Sequence, residues 1–529
     1  MRATGKLVGG LVTLLYCVAC IIIVCAAIPI PLLAQYTRAE VEKIITTSLM
    51  GEDPAKRKEA AEVLRSIGLE NNEVRSALIE ALGGRDEFVA SRSAEIVEGF
   101  GGSAVPLLEE ALKNDNYTAR KNAVGVLARL ALSDESGDIA VSGLVEALGD
   151  EKRIIREHAI TALFKTGKLA VPGLVKALSS EDINIREGAA LVLGKMGPSA
   201  GDAVAALTRA LDDENSGVRE AAASSLGKMG EAAEGAVPSL RRTLSDDDIG
   251  VRNSSIRALK DIAIECESQQ AVAALVDALG CESNAMRTGV INALADIGKG
   301  AVPSTVEALR SNNTDVRRAA GVALEKIGPE ASDAVPELIV ALKDSDSGVR
   351  EAAAGALGKI GPGAKEAIPP LIESMSDEDS DVRDAALSAL TSISADNKDN
   401  QEVLAAFVGA LGDERGFVSS RALELVVDRG KAVVPALLEA MNSEDDNLHM
   451  NSIVAIGKIG PEARDAVPRL IKELRVGDDS LREAAAIALG EIGPDASEAL
   501  PVLREIRVLD ESPSVRQSAA EAIIKIEMR

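Results

Sequence analysis

Tryptophan is absent from this sequence, and aromatic residues are scarce: five phenylalanines and three tyrosines. Large single cores lean on aromatic side chains. A chain that is 46% hydrophobic without them must build its interior from Ala, Val, Leu and Ile, which suits helices stacked closely side by side. Histidine is nearly missing too, at two residues, His158 and His449. That leaves too few imidazoles for a multi-histidine metal centre, and no nucleophile motif surrounds either one. Of five cysteines, Cys17, Cys20 and Cys25 crowd the first apolar run, leaving Cys266 and Cys281. No disulfide framework follows from so few. Cys17 and Cys20 have the spacing of a redox pair, but within an apolar helix they read as packing. Positive charge is also short, 58 basic against 83 acidic residues for a net of −25. Such a surface repels phosphate backbones and argues against nucleic acid as a partner.

What the chain has in abundance is one recurring stretch, well represented by Ser345 to Arg383. Val349, Ala352, Ala353, Ala356, Leu357 and Ile360 fall on one face of an α-helix. Ser347 or a neighbouring Asp is placed to cap it, and Gly361-Pro362 ends it. A second helix is expected near Ile368-Pro369, where proline in the first turn costs no hydrogen bond. We refer to the first helix of each pair as A-type and the second as B-type.

Ahead of the repeats, Leu7 to Ile28 is a 22-residue run without a charge. As a helix it would be about 33 Å long, enough for a hydrocarbon core of ~30 Å. Residues 1–38 are therefore expected to be a membrane anchor and linker, with a cleaved signal peptide as the alternative. The corresponding localisation is a single-pass membrane protein with the repeats on the extracytoplasmic side, or a secreted protein after cleavage.

From residue 39 onward the arginine of a Val-Arg pair marks each A-type helix. The marker position falls at Arg57, Ala90, Arg120, Arg156, Arg186, Arg219, Arg252, Arg287, Arg317, Arg350, Arg383, Ser419, His449, Arg482 and Arg516. Fifteen markers predict about fifteen helix pairs. Their unequal spacing has a pattern of its own: 36-30-33-33 from Arg120, then 35-30-33-33, then 36-30-33-34. Each class of unit has its own wording. The second class reads GKLAVP, GKGAVP and GKAVVP; the third reads GPSAGDAV, GPEASDAV and GPEARDAV; the fourth opens at Val218, Val349 and Leu481 with VREAAA or LREAAA. Blocks of four repeats at about 120–251, 252–382 and 383–515 follow, consistent with successive duplication.

These units resemble HEAT repeats of the phycobilisome-lyase-like type, with D-x-x-V-R-x-x-A-A-x-A-L-G-x-I-G followed by A-V-P-x-L. The resemblance covers 39–529 and implies an all-α, right-handed α-solenoid, here preceded by one transmembrane or signal-anchor helix. It also brings two enzymatic possibilities. HEAT-like hydroxylases hold two irons through His-Glu dipeptides, but neither His158 nor His449 is followed by Glu. Bilin lyases are the other, and no residue identifies a bilin site. No catalytic, cofactor-binding or metal-binding residue is therefore assigned, and no cofactor is expected.

The marker arginines are expected to pair with acids of adjacent turns, forming a ladder. The acidic turns, such as Asp212–Asn215 and Ser376–Asp381, lack the EF-hand pattern and read as helix caps. The function expected is a membrane-tethered, non-enzymatic scaffold that binds a protein or peptide with a basic segment; the alternative is a lyase-like or hydroxylase/oxidoreductase-like protein. In the B-type helices the fourth residue after the proline should face away from the apolar side. That position is held by Glu110, Lys176, Arg242, Glu307, Val340, Glu373, Glu439, Lys472 and Glu505. The last eight are the candidate partner-binding residues, with Glu307, Glu373 and Glu439 set against the basic segment.

Overall fold

The structure is a computed structural model that describes residues 36–45, 54–133 and 136–528. It forms two compact units, Met1–Ala258 and Leu259–Arg529, each an alternation of A-type and B-type helices. The repeat at the middle of the second unit shows why. Asp346 has extended backbone and its carboxylate accepts from the Val349 N–H at 3.1 Å, opening the helix Ser347–Ile360. Gly361 closes it with φ +70°, a conformation that side chains rarely adopt. Ile368–Ser374 then starts with proline in its first turn. Between the two runs a 3-10 segment, Gly361–Ala367, that the apolar periodicity does not reveal. Its length follows the class of repeat. Gly328–Ala334 and Gly460–Ala466 have seven residues, whereas Gly167–Ala170, Gly298–Ala301 and Gly430–Val433 have four.

Within each unit, B-type helices pack against the A-type helix that follows, as Ile368–Ser374 does on Ser380–Ile393, and A-type helices pack on one another, as Ser347–Ile360 does on Ser380–Ile393. Small side chains make that stacking close. A Cβ added at Gly358 would lie 2.9 Å from the Ala389 Cα, and one at Gly227 would lie 2.7 Å from the Ala258 Cα. Gly457 against Ala488 and Gly490 against Ala522 repeat the contact at 3.0 Å. Each of these glycines stands eight residues after its marker. Buried Ala353, Leu357 and Leu371 show the aliphatic interior that the missing aromatics require.

The described residues contain no membrane-spanning helix of the kind expected. No helix among the described residues is long and apolar enough to cross a bilayer. The run from 7 to 28 on which that expectation rested lies outside the described residues. The transmembrane or signal-anchor element, and the membrane localisation drawn from it, are accordingly withdrawn. The described helices are short and amphipathic, with the apolar stripe buried, as Val349, Ala353, Leu357 and Ile360 are in Ser347–Ile360.

Candidate interaction faces and the arginine ladder

In seven of the repeats the marker arginine is tied by several hydrogen bonds to its own turn and to the next. Arg350 donates from Nε and Nη2 to the two carboxylate oxygens of Asp377, both at 2.7 Å. Its Nη1 donates back to the carbonyls of Asp344 at 3.0 Å and Ser345 at 3.4 Å. Asp377 Oδ1 also accepts from the Asp379 N–H at 2.9 Å. One guanidinium thus ties its own turn to the next. The same rung recurs as Arg120–Asp150, Arg186–Asp213, Arg219–Asp246, Arg317–Asp344, Arg383–Asp413 and Arg482–Asp510, at 2.5 to 2.8 Å. The bond from Arg317 holds the Asp344 carboxyl below the usual carboxylate range, and Arg219 and Arg482 do so for Asp246 and Asp510. These arginines are consumed by structure, as the ladder expectation has it, and the acidic turns serve as rungs and caps.

The ladder has gaps, at Cys281 and Val476 and, in every block, at one regular place. In every rung the acid stands six residues before the next marker. For the markers Arg186, Arg317 and His449 that position is occupied by Ser180, Ser311 and Ser443. Arg156 keeps its bonds to the carbonyls of Asp150 and Glu151 but makes no ion pair among the described residues. Arg287 donates to the carbonyls of Leu279 and Cys281 and to Asn284 Oδ1, and its one carboxylate contact among the described residues is Asp315, at 3.9 Å. At the third site the arginine itself is replaced, by Ser419. Beyond it His449 Nε2 lies 3.4 Å from the buried carboxylate of Glu473, which Arg469 also contacts.

All nine fourth positions of the B-type helices are exposed. Lys176 and Arg242 lie in the first unit; Glu307, Val340, Glu373, Glu439, Lys472 and Glu505 lie in the second. Val340, 73% exposed, is an apolar side chain among charged ones. The B-type face is partly self-neutralised. Arg242 meets Asp212 at 3.3 Å, Lys343 meets Glu373 at 3.0 Å, Arg75 meets Glu110, and Arg310 meets Glu337. Glu307 and Glu439 make no ion pair among the described residues. Counting from the proline identified the outward position but missed Lys343 and Arg310, one turn further on, whose long side chains reach the next helix.

The sequence profile of HEAT repeats matches residues 70–164, 171–260, 302–391 and 434–524, well over half of the chain. The chain belongs to the HEAT-repeat family. Among solved structures, this HEAT-repeat chain is similar to yeast importin-β (Kap95p) at 15% identity over 93% of this chain and 73% of that one, with TM-score 0.35. It is also similar to Kap121p in its complex with Nup53p, at 15% identity over 92% of this chain, with TM-score 0.44. It spans 57% of that Kap121p chain. Comparison with the curated proteins returned no match.

Proposed function

We propose that this HEAT-repeat chain is a non-enzymatic scaffold that holds a polypeptide partner along its B-type helices. The observation that carries this reading is the run of exposed fourth positions on successive B-type helices, with Glu307 and Glu439 left without an intramolecular cation. A basic segment would find there carboxylates it does not have to compete for, while Glu373 would have to exchange Lys343 for a partner charge. Charge of this kind sets encounter rate and specificity more than raw affinity. The repeats belong, in this reading, to the phycobilisome-lyase-like subtype whose wording they share, and they arose as duplicated blocks at about 120–251, 252–382 and 383–515.

The test is affinity capture on the full chain at low and high salt, with cross-linking to locate the captured segment. Charge reversal of Glu307, Glu373 and Glu439 to Lys should weaken capture about tenfold or more at low salt, with helicity unchanged. Capture that ignores the reversal, or a purified protein carrying iron or a chromophore, would overturn the reading.

A further inference from the structure

One groove in the second unit lies on the A-type helices. It has a volume of about 530 Å³ and runs across four consecutive A-type helices: Thr314–Ile327, Ser347–Ile360, Ser380–Ile393 and Gly416–Asp428. Its floor is Ala352, Gly355, Gly358 and Ala389, so an incoming side chain can approach the backbone closely.

The internal repeats show what is particular about this groove. Eight residues after the marker, the equivalent repeats carry Gly194 and Gly457; here the residue is Glu325. Facing it on the next A-type helix, the equivalent positions are Ser224 and Ile487; here the residue is Gly355. The two changes are complementary. A Cβ at Gly355 would lie 3.1 Å from the Glu325 carboxyl carbon, so glycine is what gives that carboxylate its place over the floor. Glu351 lines the same groove. Neither Glu325 nor Glu351 makes an ion pair or a side-chain hydrogen bond among the described residues. Of the basic residues that line the groove, Arg318 pairs with Asp315 and Arg421 with Asp384 at 3.0 Å, while Lys359 makes no ion pair with either glutamate. Partial burial pushes the Glu351 carboxyl up from its ordinary value, and Asp381, Asp379 and Glu325 push it further, with Arg318 opposing. A cation placed beside it would relieve that repulsion.

We propose that the groove over Gly355 receives an arginine or lysine side chain from a protein partner, held by Glu325 and Glu351. The aliphatic stem would lie on the Gly and Ala floor and the charged head would meet the two carboxylates. The matching groove over Gly457, about 500 Å³, is walled by Val454 and Ile487 and offers no such pair. This surface is on the opposite type of helix from Glu307 and Glu439, and the two stand or fall separately.

The probe is a fluorescein-labelled hexa-arginine peptide titrated into the full chain and followed by anisotropy. The double variant Glu325→Gly, Glu351→Gln restores the glycine of the equivalent repeats and should keep the fold. It should weaken binding about tenfold, the order of one lost hydrogen-bonded charge pair. The triple variant Glu307→Gln, Glu373→Gln, Glu439→Gln, which removes the B-type carboxylates offered to a basic segment in the proposed function, should weaken it by less than the double variant does. Gly355→Ser, which narrows the floor without touching charge, should weaken binding as well. Equal losses in the double and triple variants would reveal diffuse attraction to an acidic protein and overturn the proposal, as would unchanged binding in the double variant. Neither result bears on capture along the B-type helices, which has its own variants.

Discussion

At the scale of the residue, the decisive side chains are the ladder pairs, because each is bidentate and largely removed from water. The Arg317 and Asp344 side chains are both 14% exposed. Replacing Asp344 with Asn keeps the shape but leaves the guanidinium beside a neutral amide. A loss of about 1–3 kcal/mol of local stability is expected, below the figure for fully buried pairs because water still reaches this one. The same bond fixes the acid response. Asp344, Asp246 and Asp510 have carboxyls depressed in the folded state by their arginines. Their contribution is therefore fully present above the unfolded value of about 3.9 and is lost as pH falls through the lower folded value. Helicity followed by circular dichroism should fall in that acid range, and Asp344→Asn should make the acid limb shallower. An unchanged limb would show that the rung contributes nothing.

At the scale of the element, glycine has two opposite meanings in helices of the same chain. Gly358 stands in the interior of an A-type helix, where alanine would gain up to ~1 kcal/mol in helix propensity. Its new Cβ would however meet the Ala389 Cα at 2.9 Å, and both atoms are held by helix backbone. The strain wins, and Gly358→Ala should destabilise by about 1–3 kcal/mol. Gly409 ends the B-type helix Gln401–Gly409 with nothing within 4 Å of an added Cβ. Gly409→Ala should stabilise by roughly 0.5–1 kcal/mol. Chemical denaturation of the two variants checks the pair, and the same sign in both would refute the close-approach account. The A-type period, the capping acids and the terminating glycines were all legible in the sequence, because each is set by residues within one or two turns. The 3-10 segments between the helices were not. Their residues, as in GPEASDAV, repeat with no apolar period, and their conformation is set by the need to bring the B-type helix back onto the stack.

At the scale of the whole molecule, stability belongs to joints between neighbouring repeats rather than to one core. Those joints are unequal. Glycine-to-alanine contacts and complete rungs coincide around the helix Ser347–Ile360, whereas the positions of Ser180, Ser311 and Ser443 leave a rung missing at the same place in each block. Hydrogen exchange should report faster sub-global opening at these three joints than at joints with a complete rung. Ser180→Asp supplies the acid that Arg156 lacks. It should slow exchange in Arg153–Thr166 and Ile183–Met196 by an amount equivalent to about 1 kcal/mol. Exchange that is uniform across all joints, or unaltered by the new acid, would remove the ladder as the cause of unequal stability.

By itself the sequence determined the family, the alternation of helices, their register and the arginine that marks each repeat. These are short-range consequences of a periodic chain, and each unit restates them. It also suggested a membrane span from residues outside the described structure, and no described helix supplies one. Only the tertiary structure decided how charges are spent between repeats. Arg350 takes Asp377 from 27 residues away, Lys343 takes Glu373 from the next B-type helix, and Glu325 lies over Gly355 of its neighbour with no ion pair among the described residues. Such pairings depend on how one helix stacks on the next, a distance that local periodicity does not encode.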